Sequence, residues 1–521
     1  MTSKATTSTT PSPPDSANEH TPLVHPSGNL NNDISSWEIE FKWLLKNCIP
    51  IIGTYMLQNS FQLASVFTLG RLGTTELAAA ALGSMFAAVS AWSIAHGMNT
   101  GKDIRNGAAI KHWRSLDTLC SQAWTGASDK TLVGVHLQRA LVVQSIMLVP
   151  IGAVWWHGEY ILLALNQEPD LAAYAGLFLR YLMIGAPAYI AFEAVKKYLQ
   201  AQGIMQASTY ALIVASPINL ALNYTLVYVE PFNLGFIGAP LATSFSYWLM
   251  LVLLLLYIQF VDGRQAWGGW TKSCLSDWGP FIRLGLPGVI LVAVEWWTFE
   301  LSALAASYLS TVDLAAQSIL LTSTGATFMI PFGIAVAASN RVGNALGQGC
   351  ATKAKRAAAM ALMFSVFFGI INCLFFITTR SWYGHLFTPE KEVVKRVSVV
   401  LPICAVFQIV DGLSGVSSGI IRGLGKQKMG AYLSIFAFYA VAVPIGYFLT
   451  FKLNWALEGL WTGFAIAVFL SAALQITYFC ILDWQVEAKK VHYRIQVAER
   501  KLRHYGADDS SFDSTDPLLN A

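Results

Sequence analysis

The chain has 521 residues, of which 55% are hydrophobic and only 12% are charged, and its mean hydropathy is +0.49. A soluble protein carries about 25% charged residues, so this composition excludes an ordinary soluble domain and indicates a protein built for lipid. The formal net charge of +4 is too small to indicate a nucleic-acid partner, and we expect none.

The chain begins with a polar segment and continues with a series of apolar runs. Residues 1–36 are rich in Ser, Thr and Pro and lack the apolar core of a signal peptide, which predicts a disordered cytosolic tail. A membrane-spanning helix needs about 20 predominantly apolar residues. Twelve such runs follow, at 45–70, 76–99, 133–156, 171–194, 207–229, 236–260, 280–308, 314–338, 356–379, 398–421, 430–451 and 457–483.

The loops divide the spans into two sets of six. Lys and Arg concentrate in the loops after the even-numbered spans, so these loops and both termini are predicted to be cytosolic. The predicted fold is therefore an all-α, multi-pass membrane protein of twelve transmembrane helices. Its segments are an N-lobe at 37–262 (spans 1–6), a cytosolic linker at 263–276, a C-lobe at 277–485 (spans 7–12), and a basic helix with a disordered cytosolic tail at 486–521. The basic helix is weakly amphipathic, and two alternatives stay open for it, a position on the inner leaflet or a solvated helix.

The two lobes repeat in sequence. Pro50 stands 26 residues before Glu76, and Pro287 stands 26 residues before Asp313, so spans 1 and 2 match spans 7 and 8 at an offset of 237. LQAQG, which begins at Leu199, matches IRGLG at an offset of 222. Two parallel six-helix lobes related by pseudo-two-fold symmetry, with a central site between them, are typical of a transporter.

The repeat also exposes an insertion in the N-lobe. SNRVGNALGQG, 339–349, matches LDTLCSQAWTG, 116–126, at an offset of 223, which leaves 237 − 223 = 14 extra residues between spans 2 and 3. They fall in the polar segment 101–115. The segment is either a genuine cytosolic loop or sequence wrongly included in the protein. We hypothesise the second, since it interrupts a helix that runs on in the other lobe.

Besides Glu76, Glu458 and Asp483 at the ends of spans, four acidic residues of the predicted spans need an explanation. An ionisable group at mid-membrane costs about 2.5–3.5 kcal/mol, so each needs a partner or a function. Glu193 stands beside Lys196 and Lys197, which favours a structural ion pair at i, i+3 or i, i+4. Glu295 and Glu300 lie in LPGVILVAVEWWTFE, and the fourth acid is Asp411.

Glu295 and Asp411 are predicted to share a depth. At a helical rise of about 1.5 Å per residue, Glu295 is roughly 18 Å from Arg283 and Asp411 roughly 17 Å from Arg422, both at the inner edge. Two acids in one low-dielectric site are suited to loading and releasing protons. Glu300 lies about 140° around the helix from Glu295 and is ranked second.

The N-lobe positions that match this pair carry no charge. The repeat places Gln58 opposite Glu295 and Tyr189 opposite Asp411, so ion coupling is predicted to reside mainly in the C-lobe. The candidate residues of the substrate cavity are Gln58, Tyr189, Trp296, Trp297 and Thr322. Pro50 and Pro287 are candidate hinges of spans 1 and 7, against the alternative of static kinks. Trp296 and Trp297 lie too deep for the interfacial belt, and either stack on an organic cation or pack in the core. The seven cysteines show no CxxC pair or metal-like spacing, and neither a metal nor a cofactor is predicted.

Several motifs together carry a family resemblance from about Trp43 to Asp483. They are LDTLCSQAWTG, YLQAQG, PINLALNY, VEWWTFE, DLAAQSI, MIPFGIAVAASNRVGNALGQG and DGLSGVSSGIIRGLGKQ. With them the chain resembles the multidrug and toxic compound extrusion (MATE) family, in a pattern typical of eukaryotic members and with polar tails typical of fungal ones.

The resemblance implies a two-lobed, twelve-helix antiporter that exports organic, mostly cationic compounds in exchange for protons. The coupling acids of eukaryotic members fall on Glu295 and Asp411, and Glu300 matches a further family glutamate. Some animal members carry another glutamate where this chain has Thr322. The expected partners are a small organic substrate, protons and the lipid bilayer, and the expected protein is a monomer of the vacuolar or plasma membrane.

Other functions are weighed against this one. The spans show no HExxH, GxSxG, Walker A or paired-His signature, so an enzyme is not predicted. Export of an organic anion, export of a lipid-linked substrate, and exchange against sodium stay as alternatives. The uncharged Gln58 and Tyr189 favour protons over sodium.

Overall fold

The computed structural model describes residues 30–98, 116–165, 167–230, 233–271 and 308–506, together with short pieces between 289 and 306. Within these residues every regular element is a helix and there is no strand, which confirms the predicted all-α class. The hypothesised insertion at 101–115 lies outside the described residues, as do residues 1–29 and 507–521 of the predicted tails. Residues 30–36 of the predicted N-terminal tail belong to the first helix.

The helices follow the apolar runs of the sequence, because a backbone in lipid satisfies all its hydrogen bonds within a helix. The N-lobe contains α1 (Leu30–Leu69), α2 (Thr74–Ala87), α3 (Ser93–Met98), α4 (Leu116–Gly126), α5 (Thr131–Trp156), α6 (Gly158–Ala164), α7 (Pro169–Leu182), α8 (Ala186–Ala201), α9 (Ala207–Tyr228) and α10 (Gly238–Phe260). The C-lobe contains α11 (Thr311–Gly347), α12 (Ala351–Thr379), α13 (Lys391–Leu424), α14 (Gln427–Ile435), α15 (Val443–Tyr447) and α16 (Ala456–Ile481), and α17 (Trp484–Gly506) follows it.

The membrane-spanning helices agree with the predicted spans. Within the described residues, nine helices are long and apolar enough to cross a membrane, and the bent pair α7 and α8 makes ten. The helix α1 covers the first predicted span as well. The seventh predicted span, 280–308, lies largely outside the described residues. The arrangement is consistent with twelve transmembrane helices in two lobes.

The two lobes meet at one end of the molecule, the end that carries the predicted cytosolic loops. There the hydrophobic core of the N-lobe continues into C-lobe residues such as Ala335 and Ile420, whereas the opposite half of the C-lobe has a separate core around Phe407 and Trp461. The hydroxyl of Thr118 donates to the carbonyl of Arg422 at 2.6 Å, across the lobes. The lobes are therefore closed against each other at this end.

An ion pair reinforces this contact. Arg341 of α11 donates from Nε and Nη2 to the two carboxylate oxygens of Glu40 on α1, at 2.7 and 2.6 Å. Both side chains are largely buried, and the guanidinium also lies 4.5 Å from the ring of Trp43. Two parallel charge-assisted bonds of this kind hold one fixed geometry. The pair joins the first helix of the N-lobe to the C-lobe.

Glycines let the C-lobe helices α11 and α13 pack closely. A Cβ added at Gly419 would lie 2.4 Å from the carbonyl oxygen of Ala335, and one at Gly423 would lie 2.6 Å from that of Ser339. Side chains at these two positions would push the helices apart. These two glycines therefore hold the C-terminal part of α13 close against α11.

The basic C-terminal helix α17 packs on the protein itself, which neither of the two predicted alternatives describes. Its inward face is formed by Trp484, Glu487, Ala488, Val491 and Ile495, all buried. Glu487 pairs with Lys426 of the C-lobe at 2.9 Å. Near the other end, Glu499 accepts from the hydroxyl of Ser128 at 2.8 Å and from the backbone N–H of Asp129 at 3.0 Å, both in the N-lobe. A single helix thus contacts both lobes.

Candidate functional site

A break between α7 and α8 positions the polar residues of the N-lobe. The two helices meet at an angle of 55°, and Pro187 occupies the first turn of α8, where a missing N–H costs nothing. A Cβ added at Gly185 would lie 2.6 Å from the Cα of Ser244, so only glycine fits at the bend. Tyr189 and Glu193 follow at one-turn spacing and point from α8 towards the lobe interior.

A π-helical turn positions the residues that pack against Tyr189 on α8. Residues Ala88–Trp92 form this turn between α2 and α3, and Trp92 and His96 stand four residues apart on one face. The ring centroid of Trp92 lies 4.2 Å from that of Tyr189. The Nε2 of His96 is hydrogen-bonded to the hydroxyl of Tyr189 at 3.2 Å. The turn thus brings an indole and an imidazole against α8.

Glu193 lies at the centre of this cluster and is fully buried. Lys196, also fully buried, donates to its Oε1 at 2.6 Å. Gln58 of α1 donates from Nε2 to the same oxygen at 3.0 Å and accepts from Lys196 at 3.3 Å. The Nδ1 of His96 lies 3.8 Å from the second carboxylate oxygen, Oε2, which accepts no hydrogen bond from the described residues. We call Gln58, His96, Tyr189, Glu193 and Lys196 the N-lobe cluster.

Aromatic rings complete the surroundings of Lys196. Its Nζ lies 4.4 Å from the ring centroid of Tyr55 and 5.4 Å from that of Phe192. The ring of Tyr55 in turn packs against Phe332 of the C-lobe, at 4.7 Å between centroids. The N-lobe cluster therefore borders the contact between the lobes.

The C-lobe carboxylate Asp411 lies on α13 and is 8% exposed. One turn earlier on the same helix, Gln408 accepts a hydrogen bond from Thr327 of α11 at 2.9 Å. One turn later, the hydroxyl of Ser414 donates to that of Ser471 on α16 at 3.3 Å. Asp411 thus occupies a polar stripe of neutral side chains on α13.

The structure brings together two of the candidate residues and separates others from them. Gln58 and Tyr189 both belong to the N-lobe cluster. Thr322 is exposed, and its hydroxyl donates to the Ser318 carbonyl at 2.8 Å, while Trp297 is 46% exposed. Pro50 lies inside the continuous helix α1, and its carbonyl accepts from the hydroxyl of Thr209 at 2.7 Å. Four further candidates lie outside the described residues: Glu295, Glu300, Trp296 and Pro287.

The predicted ion pair of Glu193 is confirmed, at i, i+3 with Lys196. The sequence interpretation missed that this pair lies at the interior contact of α1, α3 and α8, because an i, i+3 pair on one helix looks the same at an exposed face. The sequence interpretation also overlooked His96. The signal that could have identified it was a histidine inside the apolar run 76–99.

Comparison with known proteins adds the family. The MatE family model matches residues 50–110, 114–225 and 287–448, together more than half of the chain. The chain belongs to the MATE family. The match breaks inside the segment 101–115, where the repeat locates the extra residues; that this segment is wrongly included stays a prediction.

Relatives of this MATE chain occur in fungi and animals. An uncharacterized transporter of Schizosaccharomyces pombe is 37% identical over 458 residues, which are 88% of this chain and 82% of the relative. Multidrug and toxin extrusion protein 1 of Danio rerio is 34% identical over 477 residues, 91% of this chain and 78% of that protein. The crystal structure of the eukaryotic MATE transporter AtDTX14 has a TM-score of 0.81 at 27% identity, covering 88% of this chain and all of that one. The chain is thus an integral membrane transporter and not an enzyme.

Proposed function

We propose that this MATE transporter exports organic cations in exchange for protons, and that Asp411 is a carboxylate of the coupling site in the C-lobe. At the coarser level, family membership supports efflux of small xenobiotic compounds. The observation that carries the finer proposal is the burial of Asp411, at 8% exposure, in the interior of a membrane-spanning helix. A carboxyl group there costs about 2.5–3.5 kcal/mol and is retained for a function.

The N-lobe geometry supports the pairing of Asp411 with Glu295. Gln58 and Glu193 are joined by a hydrogen bond of 3.0 Å. The offsets of the repeat relate Gln58 to Glu295, and Glu193 to Gly415, one turn beyond Asp411. Since the lobes share a fold, we expect the Glu295 side chain to face the same stretch of α13. We rank Glu300 second in this proposal, as before.

The closed end supports an orientation. The lobes meet where Arg341, Arg422 and Lys426 lie, and basic residues favour the cytosolic side. We therefore propose that both termini are cytosolic and that the molecule is closed towards the cytosol in this conformation. Spans 1 and 7, with Pro50 and Pro287, are the proposed moving elements.

The test is uptake of a fluorescent organic cation into proteoliposomes driven by a pH gradient. We expect Asp411→Asn and Glu295→Gln to reduce gradient-driven uptake by about tenfold or more, since each removes a group that must carry the proton. The matched control is Asp170→Asn, the same substitution at an exposed residue in the first turn of α7. Undiminished uptake by both coupling variants would contradict the assignment.

A second arm separates the ions and the substrate classes. The same vesicles receive a sodium gradient at constant pH, and a fluorescent organic anion replaces the cation. If uptake follows the sodium gradient and does not depend on pH, the coupling ion is sodium and not the proton. If the anion is taken up in preference to the cation, the substrate class is organic anions.

A further inference from the structure

The N-lobe cluster has the composition of a binding site for an ammonium ion, and its occupant is a residue of the chain. The Nζ of Lys196 contacts a carboxylate oxygen at 2.6 Å, an amide oxygen at 3.3 Å and the face of an aromatic ring at 4.4 Å. Carboxylate, carbonyl and ring face are the three partners that bind alkylammonium ligands in proteins. Lys196 reaches them on a flexible four-carbon stem.

We propose that Glu193 is a cation-exchange site of the N-lobe: Lys196 occupies it while the lobes are closed at this end, and a transported alkylammonium ion takes its place when they separate. This inference rests on the proposed transport of organic cations and extends it to a second site. The exchange makes and breaks no covalent bond and moves no proton. One ammonium replaces another beside Glu193, so the charge of the site is conserved.

Burial explains why the exchange must be one for one. Glu193 and Lys196 are both fully buried, and an unpaired charge in this position is strongly unfavourable. Lys196 can leave only if another cation arrives at Glu193. The second oxygen of Glu193, Oε2, has no hydrogen-bond donor among the described residues, so it offers an acceptor that Lys196 does not use.

The contact between the lobes explains how the exchange is coupled to transport. The ring of Tyr55 lies between Lys196 and Phe332 of the C-lobe, 4.4 Å from the first and 4.7 Å from the second. Separation of the lobes removes Phe332 from behind this ring and opens the cluster to the central cavity. Lys196 then gains water as an alternative partner, and the cost of its leaving Glu193 falls.

Other ionisable groups surround the pair and contribute to its charge balance. They are Tyr55 on α1, His96 on α3, Tyr189 and Lys197 on α8, Tyr247 on α10 and Arg422 on α13. Within this set of described residues, the carboxylate of Glu193 is the group that an arriving cation would contact directly.

Chemical rescue of Lys196→Ala in the purified full-length protein tests the site. The variant lacks the three methylene groups and the ammonium beyond Cβ, which n-propylammonium supplies. We expect the Tm of Lys196→Ala to fall below that of the wild type and to rise with n-propylammonium concentration, as for any ligand that binds the folded state. 1-Propanol should produce no such rise, nor should n-propylammonium added to Glu193→Gln/Lys196→Ala or to Lys197→Ala. Absence of rescue, or equal rescue in the double variant, would overturn the proposal.

Labelling of the wild type provides a second measurement if Lys196→Ala does not fold. An amine-acylating reagent is applied with and without triethylammonium, which carries an N–H and forms no stable acyl product. We expect triethylammonium to increase acylation of Lys196 relative to Lys197, read by mass spectrometry. An unchanged ratio would overturn the exchange. Neither readout needs a proton gradient, so each can fail while the Asp411 transport experiment succeeds, and the reverse.

Discussion

The two lobes handle a buried carboxylate in different ways. In the N-lobe, Glu193 is held by a lysine at 2.6 Å and a glutamine at 3.0 Å. In the C-lobe, Asp411 shares its helix face with neutral side chains such as Gln408 and Ser414. Glu193 is therefore balanced in charge by a cation on its own helix, one turn away. The two acids lie on helices that the repeat relates, α8 and α13, and they differ in the side chains that border them.

The largest effect is expected from removing the tethered cation of the N-lobe. Lys196→Met leaves Glu193 buried and unpaired, which should lower the free energy of unfolding by about 3–5 kcal/mol. Lys42→Met, the same change in the exposed ion pair with Glu38, should cost clearly less, because water screens an exposed pair. Thermal unfolding of both purified variants measures this.

A second variant tests whether the loss comes from the unpaired charge. Glu193→Gln/Lys196→Met removes both charges and should recover part of the stability, since a neutral pair carries no desolvation penalty. Equal losses in the single and double variants would contradict a charge pair at this place.

The next effect compares the glutamines of the two lobes. Gln58→Leu removes a hydrogen bond to the charged Glu193 and should cost about 1.5–3 kcal/mol. Gln408→Leu removes a hydrogen bond between neutral groups, Thr327 and Gln408, and should cost only about 0.5–1.5 kcal/mol. Unfolding of the two variants under identical conditions is the measurement. A larger loss for Gln408→Leu than for Gln58→Leu would contradict this prediction, because it would indicate that the C-lobe glutamine, rather than Gln58, binds the charged group.

A smaller effect concerns the contact that joins the lobes. Arg341→Gln breaks the paired bonds to Glu40, and a loss of about 1.4 kcal/mol would raise the population of the separated state about tenfold. A cysteine at Ser121, buried against Gly343 of the other lobe, reports this population by its labelling rate once Cys274, Cys350 and Cys480 are replaced by serine. Lys42→Gln, which breaks the exposed pair with Glu38, is the control and should leave the rate unchanged.

The smallest effect lies at the C-terminal helix. Burial alone would raise the pKa of Glu487, but the hydrogen bonds and charges of Lys426 and Lys490 outweigh it and hold that pKa below its usual range. A depressed carboxyl pKa stabilises the fold above the unfolded value of about 4.3, and this contribution is lost as the pH falls below it. Glu487→Gln should therefore lower the free energy of unfolding at pH 7 by about 0.5–1.5 kcal/mol, which is seen as a lower Tm. The loss should be much smaller at a pH below about 4.3. A difference that is independent of pH would contradict the ion pair.

The sequence alone was sufficient for the architecture. Apolar runs of sufficient length, basic loops and an offset of 237 between Pro50 and Pro287 predict twelve spans in two parallel lobes, and the described helices agree. These signals are local or periodic in the sequence, so they can be recognised without knowledge of tertiary packing. The same local reading identified the pairing of Glu193 with Lys196, because an i, i+3 spacing on a helix brings two side chains together by itself.

Other features followed from contacts that are distant in the chain. The basic helix α17 carried a surface pattern that suits lipid, water or protein equally, and only the packing of Val491 and Ile495 against the lobes decided between them. The role assigned to Gln58 changed in the same way. As an uncharged match of Glu295 it indicated a missing carboxylate, yet in the fold it binds one.

What the sequence by itself determined is therefore the number of membrane-spanning segments, their grouping into two lobes and which carboxylates lie within the spans. Only the tertiary structure decided that Gln58, His96 and Lys196, from α1, α3 and α8, converge on Glu193. A membrane helix shows in its sequence that a polar residue is buried, because lipid penalises it wherever it points. It does not show the partner, because the partner comes from another helix, whose rotation and depth are set by packing.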